Sequence, residues 1–151
     1  MTNLTIVIPA KNEAESLPIV LDRFIHKNYK ICVVLEESDL KTIKAIENKN
    51  CDLVFQSKKG FGNALREGID QSDTEYFCIF NADGSMEINE IDLMLQKIKK
   101  TNDDIIFASR YEKDGKSDVD TIVTLIGNKI FTLIDKFFYS LTITDILYTF
   151  V

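Results

Sequence analysis

The 151-residue sequence predicts an α/β protein with a mostly parallel sheet, and the hydrophobic pattern is the basis for this fold class. Short apolar runs, each long enough for one buried strand, alternate with segments that repeat apolar residues every three or four positions. A polar stretch follows most of these runs, where a strand would leave the sheet. Because right-handed crossovers join the strands of such a sheet, the polar stretches should meet at one edge.

The apolar runs predict five strands, at residues 4–9, 31–35, 52–55, 75–80 and 104–109. Pro9 marks the exit of the first strand, since proline cannot donate a hydrogen bond to a neighbouring strand. The polar exits are 9–13, 36–39, 81–85 and 110–111.

Helices are predicted between these strands from the 3.6-residue period. Ser16 and Asn89 are expected to cap the first and fourth helices. The inward positions are expected to be Leu17, Val20, Leu21, Phe24 and Ile25 in the first helix, Leu40, Ile43 and Ile46 in the second, Leu65 and Ile69 in the third, and Ile91, Met94, Leu95 and Ile98 in the fourth.

The C-terminal part is predicted to contain a charged, mobile loop at 112–120 and a long helix over about 122–141 with a wide apolar surface. Two interpretations of that surface stay open: it packs on the sheet under missing or partner structure, or it lies on a bilayer surface. Asp135 and Lys136 argue against a spanning helix. The apolar tail at 143–151 suggests a fold truncated at its C-terminal side.

Composition narrows the function classes. A net charge of -6 and a pI near 4.8 argue against a nucleic-acid binder, which needs a basic face. Three cysteines without close spacing and no signal peptide suggest a reducing cytoplasm. The single histidine, His26, ends a helical pattern and is expected on the surface, so the usual general base is missing.

The corner at 81–85 is the strongest candidate site. Asp83 follows the fourth strand, and ligands of open α/β sheets gather outside the carboxyl ends of the strands. A carboxylate there is well placed to hold a divalent cation, which can neutralise phosphate oxygens. Gly60 and Gly62 form a basic turn into a helix, and their spacing differs from that of a Walker A loop.

Four segments, at 6–13, 60–68, 81–85 and 108–111, occur together in an order that resembles family 2 glycosyltransferases of the GT-A fold. The resemblance is strongest to the dolichol- or polyprenyl-phosphate mannosyltransferase branch. It implies a Rossmann-like three-layer α/β/α sandwich, with residues 1–151 as one domain. The domain would consist of a nucleotide-sugar-binding core at 1–111, the loop at 112–120, and the long helix with the start of the acceptor-side region at 121–151.

The resemblance also implies the chemistry. The donor would be a GDP- or UDP-sugar, the cofactor Mg²⁺ or Mn²⁺, and the acceptor a polyprenyl or dolichyl phosphate or a related glycan. Transfer would be inverting, in a cytoplasmic protein with peripheral contact at the inner face of the membrane. A phosphate acceptor is already a nucleophile, so the lack of a histidine base is no obstacle.

Residue roles follow from the same resemblance. Pro9, Ala10 and Glu13 would line the base and ribose, and Glu36 would reach the nucleobase. Asp83 would bind the metal together with Asn81, and Arg110 would steady the donor phosphate or sugar as a second catalytic residue. The remaining donor-binding candidates in these segments are Asn12, Gly62 and Ala82.

Three departures from the family pattern support an alternative. Asn81 stands where the family has the first aspartate of its Asp-x-Asp corner, which removes one charge from the metal site. The sequence Leu-Glu-Glu-Ser at 35–38 replaces the common Asp-Asp-Gly-Ser, and no arginine lies between 112 and 135. The alternative is a non-catalytic or degenerate nucleotide-sugar-binding module of the same fold.

Overall fold

The computed structural model describes residues 3–111, 122–139 and 143–151, which belong to two compact units, Met1–Asp92 and Leu93–Val151. The first unit contains a four-stranded parallel sheet in the order β3-β2-β1-β4. The strands are β1 (Leu4–Pro9), β2 (Lys30–Leu35), β3 (Asp52–Phe55) and β4 (Tyr76–Ile79). The helices are α1 (Leu17–Asp22), α2 (Leu40–Ala45), α3 (Phe61–Asp70), α4 (Ile88–Thr101) and α5 (Ile122–Tyr139).

Both faces of the sheet are covered. On one face, α3 packs so closely that a Cβ on Gly68 would lie 2.4 Å from Val7 Cγ1 and 2.8 Å from Val34 Cγ2. Side chains alternate between the faces of a strand, so Ile6 and Ile8 point the other way, and they are fully buried as well. This arrangement confirms the predicted α/β class, and the first four strands agree with the prediction to within one residue at each end.

The ends of the helices correct several predicted core positions. Ile25 is 73% exposed because α1 already ends at Asp22 and the chain continues in tight turns, in which Ile25 N–H donates to Asp22 O. Leu40 is 71% exposed at the first position of α2, where Thr42 is the buried residue instead. Asn89 is not a cap, because α4 begins one residue before it.

The predicted fifth strand at 104–109 was wrong. The segment has no strand pairing among the described residues, and Ile105 remains 53% exposed. Within the second unit, Ala108 N–H of this segment donates to Phe150 O at 3.0 Å. The apolar run therefore did not suffice to predict a strand, because the segment forms no ladder within the described part of the chain.

In the second unit, α5 confirms the predicted long helix, whereas the predicted loop at 112–120 lies outside the described residues. The helix buries polar side chains: Asn128 is 2% exposed and Asp135 is 8% exposed. Its exposed side chains include Lys129 and Lys136 and a large apolar set, namely Val123, Ile126, Ile130, Phe131, Leu133, Ile134, Phe137 and Phe138, with Tyr139 beside them. A bilayer-spanning helix was not found in the part of the chain that the structure describes.

The close approach of α3 to the sheet gives a test of the core. Gly68→Ala should lower the free energy of unfolding by about 1–3 kcal/mol, because the added methyl group overpacks a filled interior. Gly62→Ala, on the same helix with nothing within 4 Å of its Cβ position, is the matched control and should be neutral or stabilising. Urea unfolding of the two variants measures the difference, and equal stabilities would contradict this packing.

Candidate functional site

The exits of all four strands line one cavity in the first unit, with a volume of about 390 Å³. The strand register explains why they meet: Pro9 pairs with Val34, Leu35 with Phe55, and Val7 with Ile79. The next residues along each strand therefore emerge side by side. The cavity is lined by Pro9, Ala10, Lys11, Glu13, Glu36, Gln56, Gly60, Phe61, Ala64, Asn81, Ala82 and Asp83.

The loop after β1 is held by the start of α2. Asn12 adopts a left-handed backbone conformation (φ 59°), and its N–H donates to Asp39 Oδ2 at 2.7 Å. The next N–H, that of Glu13, donates to Thr42 Oγ1 at 3.0 Å. Asp39 also caps α2, since its other oxygen accepts from Thr42 N–H at 3.3 Å. One carboxylate thus fixes both the β1–α1 loop and the beginning of α2.

Hydrogen bonding sets the ionisation of Asp39. Burial works to raise its pKa, but the hydrogen bonds from Asn12 and Thr42 outweigh burial and hold the pKa below its ordinary value. The carboxylate is therefore charged in the neutral range, where the loop needs it as an acceptor.

Glu36 lies between two cations at the cavity wall. Lys11 Nζ donates to Glu36 Oε1 at 3.0 Å, and Lys59 Nζ lies 4.0 Å from Oε2. The Glu36 side chain is 16% exposed, whereas the Lys11 side chain is 68% exposed. The hydrogen bond from Lys11 is the main cause that lowers the pKa of Glu36, so the carboxylate accepts hydrogen bonds but does not donate them at neutral pH.

The corner after β4 is a tight turn that presents Asp83 to solvent. Asp83 Oδ1 accepts from Ser85 N–H at 2.9 Å, and Gly84 has the positive φ (79°) that the turn requires. Arg23 supports the turn from α1 by donating to Gly84 O at 3.4 Å. Asn81 N–H donates to the Sδ atom of the buried Met86 at 3.2 Å. Packing therefore positions the backbone while the Asp83 carboxylate stays exposed.

The start of α3 forms another wall. Gly60, at φ 114°, precedes the helix in a conformation that other residues avoid, and Phe61 follows it 52% exposed. Glu67 secures the turn by accepting from Ser57 N–H at 2.9 Å and from the Asn63 amide. Gly62 does not line the cavity, and the space around it is open.

Arg110 belongs to the second unit, where a fully buried carboxylate holds its guanidinium. Asp145 Oδ2 accepts from Arg110 Nε at 2.8 Å, and Oδ1 accepts from Nη2 at 3.0 Å. The guanidinium carbon also lies 5.4 Å from the ring centre of Tyr111 and 5.0 Å from that of Tyr148. This bidentate, stacked geometry is one that arginine forms and lysine cannot reproduce.

Seven of the predicted donor-binding residues lie together at the cavity: Pro9, Ala10, Glu13, Glu36, Asn81, Ala82 and Asp83. Asn12 acts through its backbone and, like Gly62, is not among the lining residues. The sequence reasoning missed Lys11, Gln56 and Phe61 as cavity residues. Their positions directly after strands and after a helix-entry glycine were the available signal. The roles of all these residues remain predictions.

The residues at the corner suit a metal held mainly by its substrate. No group of three or more His, Cys, Asp or Glu side chains that could hold a metal occurs within residues 3–111, 122–139 and 143–151. Mg²⁺ commonly uses one or two carboxylates, several waters and the phosphates of a substrate. Asp83, exposed and with one oxygen engaged by Ser85, together with the neighbouring Asn81 amide, matches this donor set.

A parallel sheet with a cavity at the carboxyl ends of its strands is the arrangement of open α/β proteins that bind ligands at this edge. Within this class, the sequence profile of glycosyl transferase family 2 matches residues 5–150. The chain therefore belongs to glycosyl transferase family 2, which confirms the family that the sequence motifs predicted.

Relatives of this chain are named as glycosyltransferases and are longer. An uncharacterised glycosyltransferase of Mycobacterium tuberculosis is 30% identical over 100 residues, which cover 66% of this chain and 45% of the relative. A dolichyl-phosphate β-glucosyltransferase of Dictyostelium discoideum is 27% identical over 129 residues, covering 71% of this chain and 39% of the relative. The chain thus spans less than half the length of these curated relatives.

The fold has a counterpart among solved structures. The 1–349 portion of S. aureus TarS superposes with a TM-score of 0.51 at 13% sequence identity, covering 75% of this chain and 40% of that one. At this identity the likeness concerns the fold alone, and it agrees with the predicted GT-A architecture.

The Asp39 contacts predict a pH-dependent stability. Asp39→Ala should lower the free energy of unfolding by about 1 kcal/mol, because it removes a helix cap. Asp39→Asn keeps an acceptor and is the matched control. Because the folded pKa is lowered, the advantage of the wild type over Asp39→Asn should be present above about pH 4 and vanish as the pH falls through that lowered pKa. Denaturant unfolding across pH 2–7 (roughly the titration range of carboxylates) measures it, and a constant difference would contradict the ionic role.

The Arg110 contacts predict a structural cost. Arg110→Ala should destabilise the protein by about 3–5 kcal/mol, because it leaves the Asp145 carboxylate buried without its partner. Arg66→Ala, on the exposed side of α3, is the control and should change little. Urea unfolding decides the outcome. Unchanged stability of Arg110→Ala would contradict the structural role of the pair.

Proposed function

We propose that this chain is the donor-binding part of an enzyme that transfers a sugar from a GDP- or UDP-sugar to a polyprenyl or dolichyl phosphate or a related glycan. The observation that carries the proposal is the convergence of the β1, β2 and β4 exits on one cavity that contains Asp83, in a chain of glycosyl transferase family 2. The family match over 5–150 supports treating residues 1–151 as one catalytic domain, with its core at 1–111.

The proposed roles follow the chemistry of the leaving group. Breaking the bond between a sugar and a diphosphate places negative charge on the diphosphate, so positive charge nearby lowers the barrier. Asp83, assisted by Asn81, would hold Mg²⁺ or Mn²⁺, which supplies that charge when bound. Pro9, Ala10 and Glu13 would hold the nucleoside. Arg110 would act on the donor in addition to its contact with Asp145.

A phosphate acceptor fits a site without a histidine base. A phosphate oxygen is already charged and can attack the anomeric carbon directly, and a single displacement of this kind inverts the configuration. The similarity to a dolichyl-phosphate β-glucosyltransferase supports a lipid-phosphate acceptor. The exposed apolar side of α5 supports peripheral contact with a membrane, where such a lipid resides. Three free cysteines support a reducing compartment and hence the cytoplasmic face.

A second candidate is a nucleotide-sugar-binding module without transferase activity. Asn81 favours it, because the corner then carries one carboxylate where the family pattern has two. The two candidates share the donor site and differ only in whether a glycosylated product forms.

Calorimetry with UDP and GDP, each with and without Mn²⁺, tests the donor site. The wild type should bind a nucleoside diphosphate more tightly with the metal, and Asp83→Ala should abolish that increment. Asn81→Asp should enlarge the increment about threefold to tenfold by adding a charged ligand. Asp70→Ala removes an exposed carboxylate at the end of α3 and should leave the metal-dependent increment in affinity unchanged. If neither nucleotide shows metal-dependent binding, the result contradicts the proposed donor site.

A product assay separates the enzyme from the binding module. The protein is incubated with radiolabelled UDP- and GDP-sugars and polyprenyl-phosphate vesicles, and lipid extracts are counted. Labelled lipid that is absent with Asp83→Ala supports the enzyme. Tight metal-dependent nucleotide binding without product from any lipid or glycan acceptor supports the binding module.

A further inference from the structure

The Glu36 carboxylate and its two lysines form a row of hydrogen-bonding groups, of which Glu36 and Lys11 line the cavity and Lys59 lies next to Glu36. Lys11 lies 3.0 Å from one carboxylate oxygen and Lys59 lies 4.0 Å from the other. Along the row, the Lys11 ammonium is a donor, the Glu36 carboxylate an acceptor and the Lys59 ammonium a donor. Each ammonium has three N–H groups and each carboxylate oxygen has more than one acceptor site, so these ion pairs leave capacity for a ligand.

We propose that the Lys11–Glu36–Lys59 row selects uracil, so that the donor of this chain is a UDP-sugar. The inference rests on the proposed function, because it places the nucleobase at Glu36. Uracil carries an N3–H donor between two carbonyl acceptors, O2 and O4. The N–H faces the carboxylate and the two carbonyls face the ammoniums, so every group meets its complement.

The other bases conflict with this row. Guanine has a carbonyl on one side of its N1–H but an amino donor on the other, and that amino group would meet a second ammonium. Cytosine places its ring-nitrogen acceptor against the carboxylate and its amino group against an ammonium. Adenine repeats the conflict at its amino group. An acceptor or donor left facing a like group loses its hydrogen bond and costs affinity.

The lysines differ in how firmly they are placed. Lys11 contacts Glu36 within hydrogen-bond distance and lines the cavity, whereas Lys59 is looser and its side chain is 88% exposed. Lys11 therefore carries the larger share of the selection. Phe61, exposed at the cavity wall, offers a ring face on which any base can stack, so it contributes affinity without selection.

The test compares UDP with GDP by calorimetry in the presence of Mn²⁺, on the wild type and on Lys11→Met, Lys59→Met and Glu36→Gln. The affinity of the wild type for UDP should exceed its affinity for GDP by about tenfold or more, because UDP makes one or two charged hydrogen bonds that GDP lacks. Lys11→Met should reduce this ratio severalfold and Lys59→Met should reduce it less. Glu36→Gln should weaken the binding of both nucleotides, because guanine N1–H would face the same carboxylate as uracil N3–H. Both nucleotides carry the same diphosphate, so a lysine that contacts only phosphate would weaken both equally and leave the ratio intact.

Matched controls are next to the row. Lys58→Met and Glu37→Gln make the same changes of charge on neighbouring exposed side chains and should preserve the ratio. A preference for GDP, equal binding of the two nucleotides, or a UDP preference that survives in Lys11→Met/Lys59→Met would overturn the inference while the proposed function stands. If neither nucleotide binds, the proposed function fails, and the inference falls with it.

Discussion

The parallel pairing of β1 with β2 on one side and β4 on the other is the constraint on which the site depends. All but the last residue of β1 is buried, so the strand cannot shift without moving the whole core. A shift of one residue would also turn each side chain to the opposite face of the sheet. The register consequently fixes where Pro9, Glu36 and Asn81 leave the sheet, and the close packing of α3 at Gly68 fixes where Phe61 begins the next helix.

Charge distribution explains why Asp83 differs from the other cavity carboxylates. Glu13 accepts from the Ser16 hydroxyl, and Glu36 is engaged by Lys11 and Lys59. Asp83 is exposed, has no ion pair among the described residues, and accepts a backbone N–H through one oxygen. Of the cavity carboxylates, Asp83 is therefore the one that would offer a cation the least competition. The lysines limit the repulsion that the remaining carboxylates would exert on the phosphates.

The sequence predicted the parts of the fold that depend on local pattern. Strands β1 to β4 were found because continuous apolar runs mark strands buried on both faces. The strand at 104–109 was wrong because an apolar run shows only that a segment is suited to a buried strand, whereas a strand also needs a neighbour to pair with, and Ile105 and Phe107 stay exposed. Ile25 was misplaced because nothing in the helical period marks where α1 stops. In the site, the carboxyl-end rule found Glu36 and Asp83, but the partners of a side chain, such as Lys11 on Glu36 or Asp145 on Arg110, depend on long-range packing.

Helix α5 differs from an ordinary surface helix, because it exposes many large apolar side chains beside Lys129 and Lys136 while it buries Asn128 and Asp135. Asn128 is buried, where its amide donates to Thr144 O and its carbonyl accepts from Leu147 N–H, so the polar side of the helix is used to hold the segment after it. The apolar side, including Phe137 at 81% exposed, is left in contact with solvent. Exposed apolar area of this extent is costly in water, at about 25 cal/mol per Å². Rotation of the helix to bury its apolar side would break both hydrogen bonds of the Asn128 amide, so an apolar surface that covers this side would lower the cost without that loss.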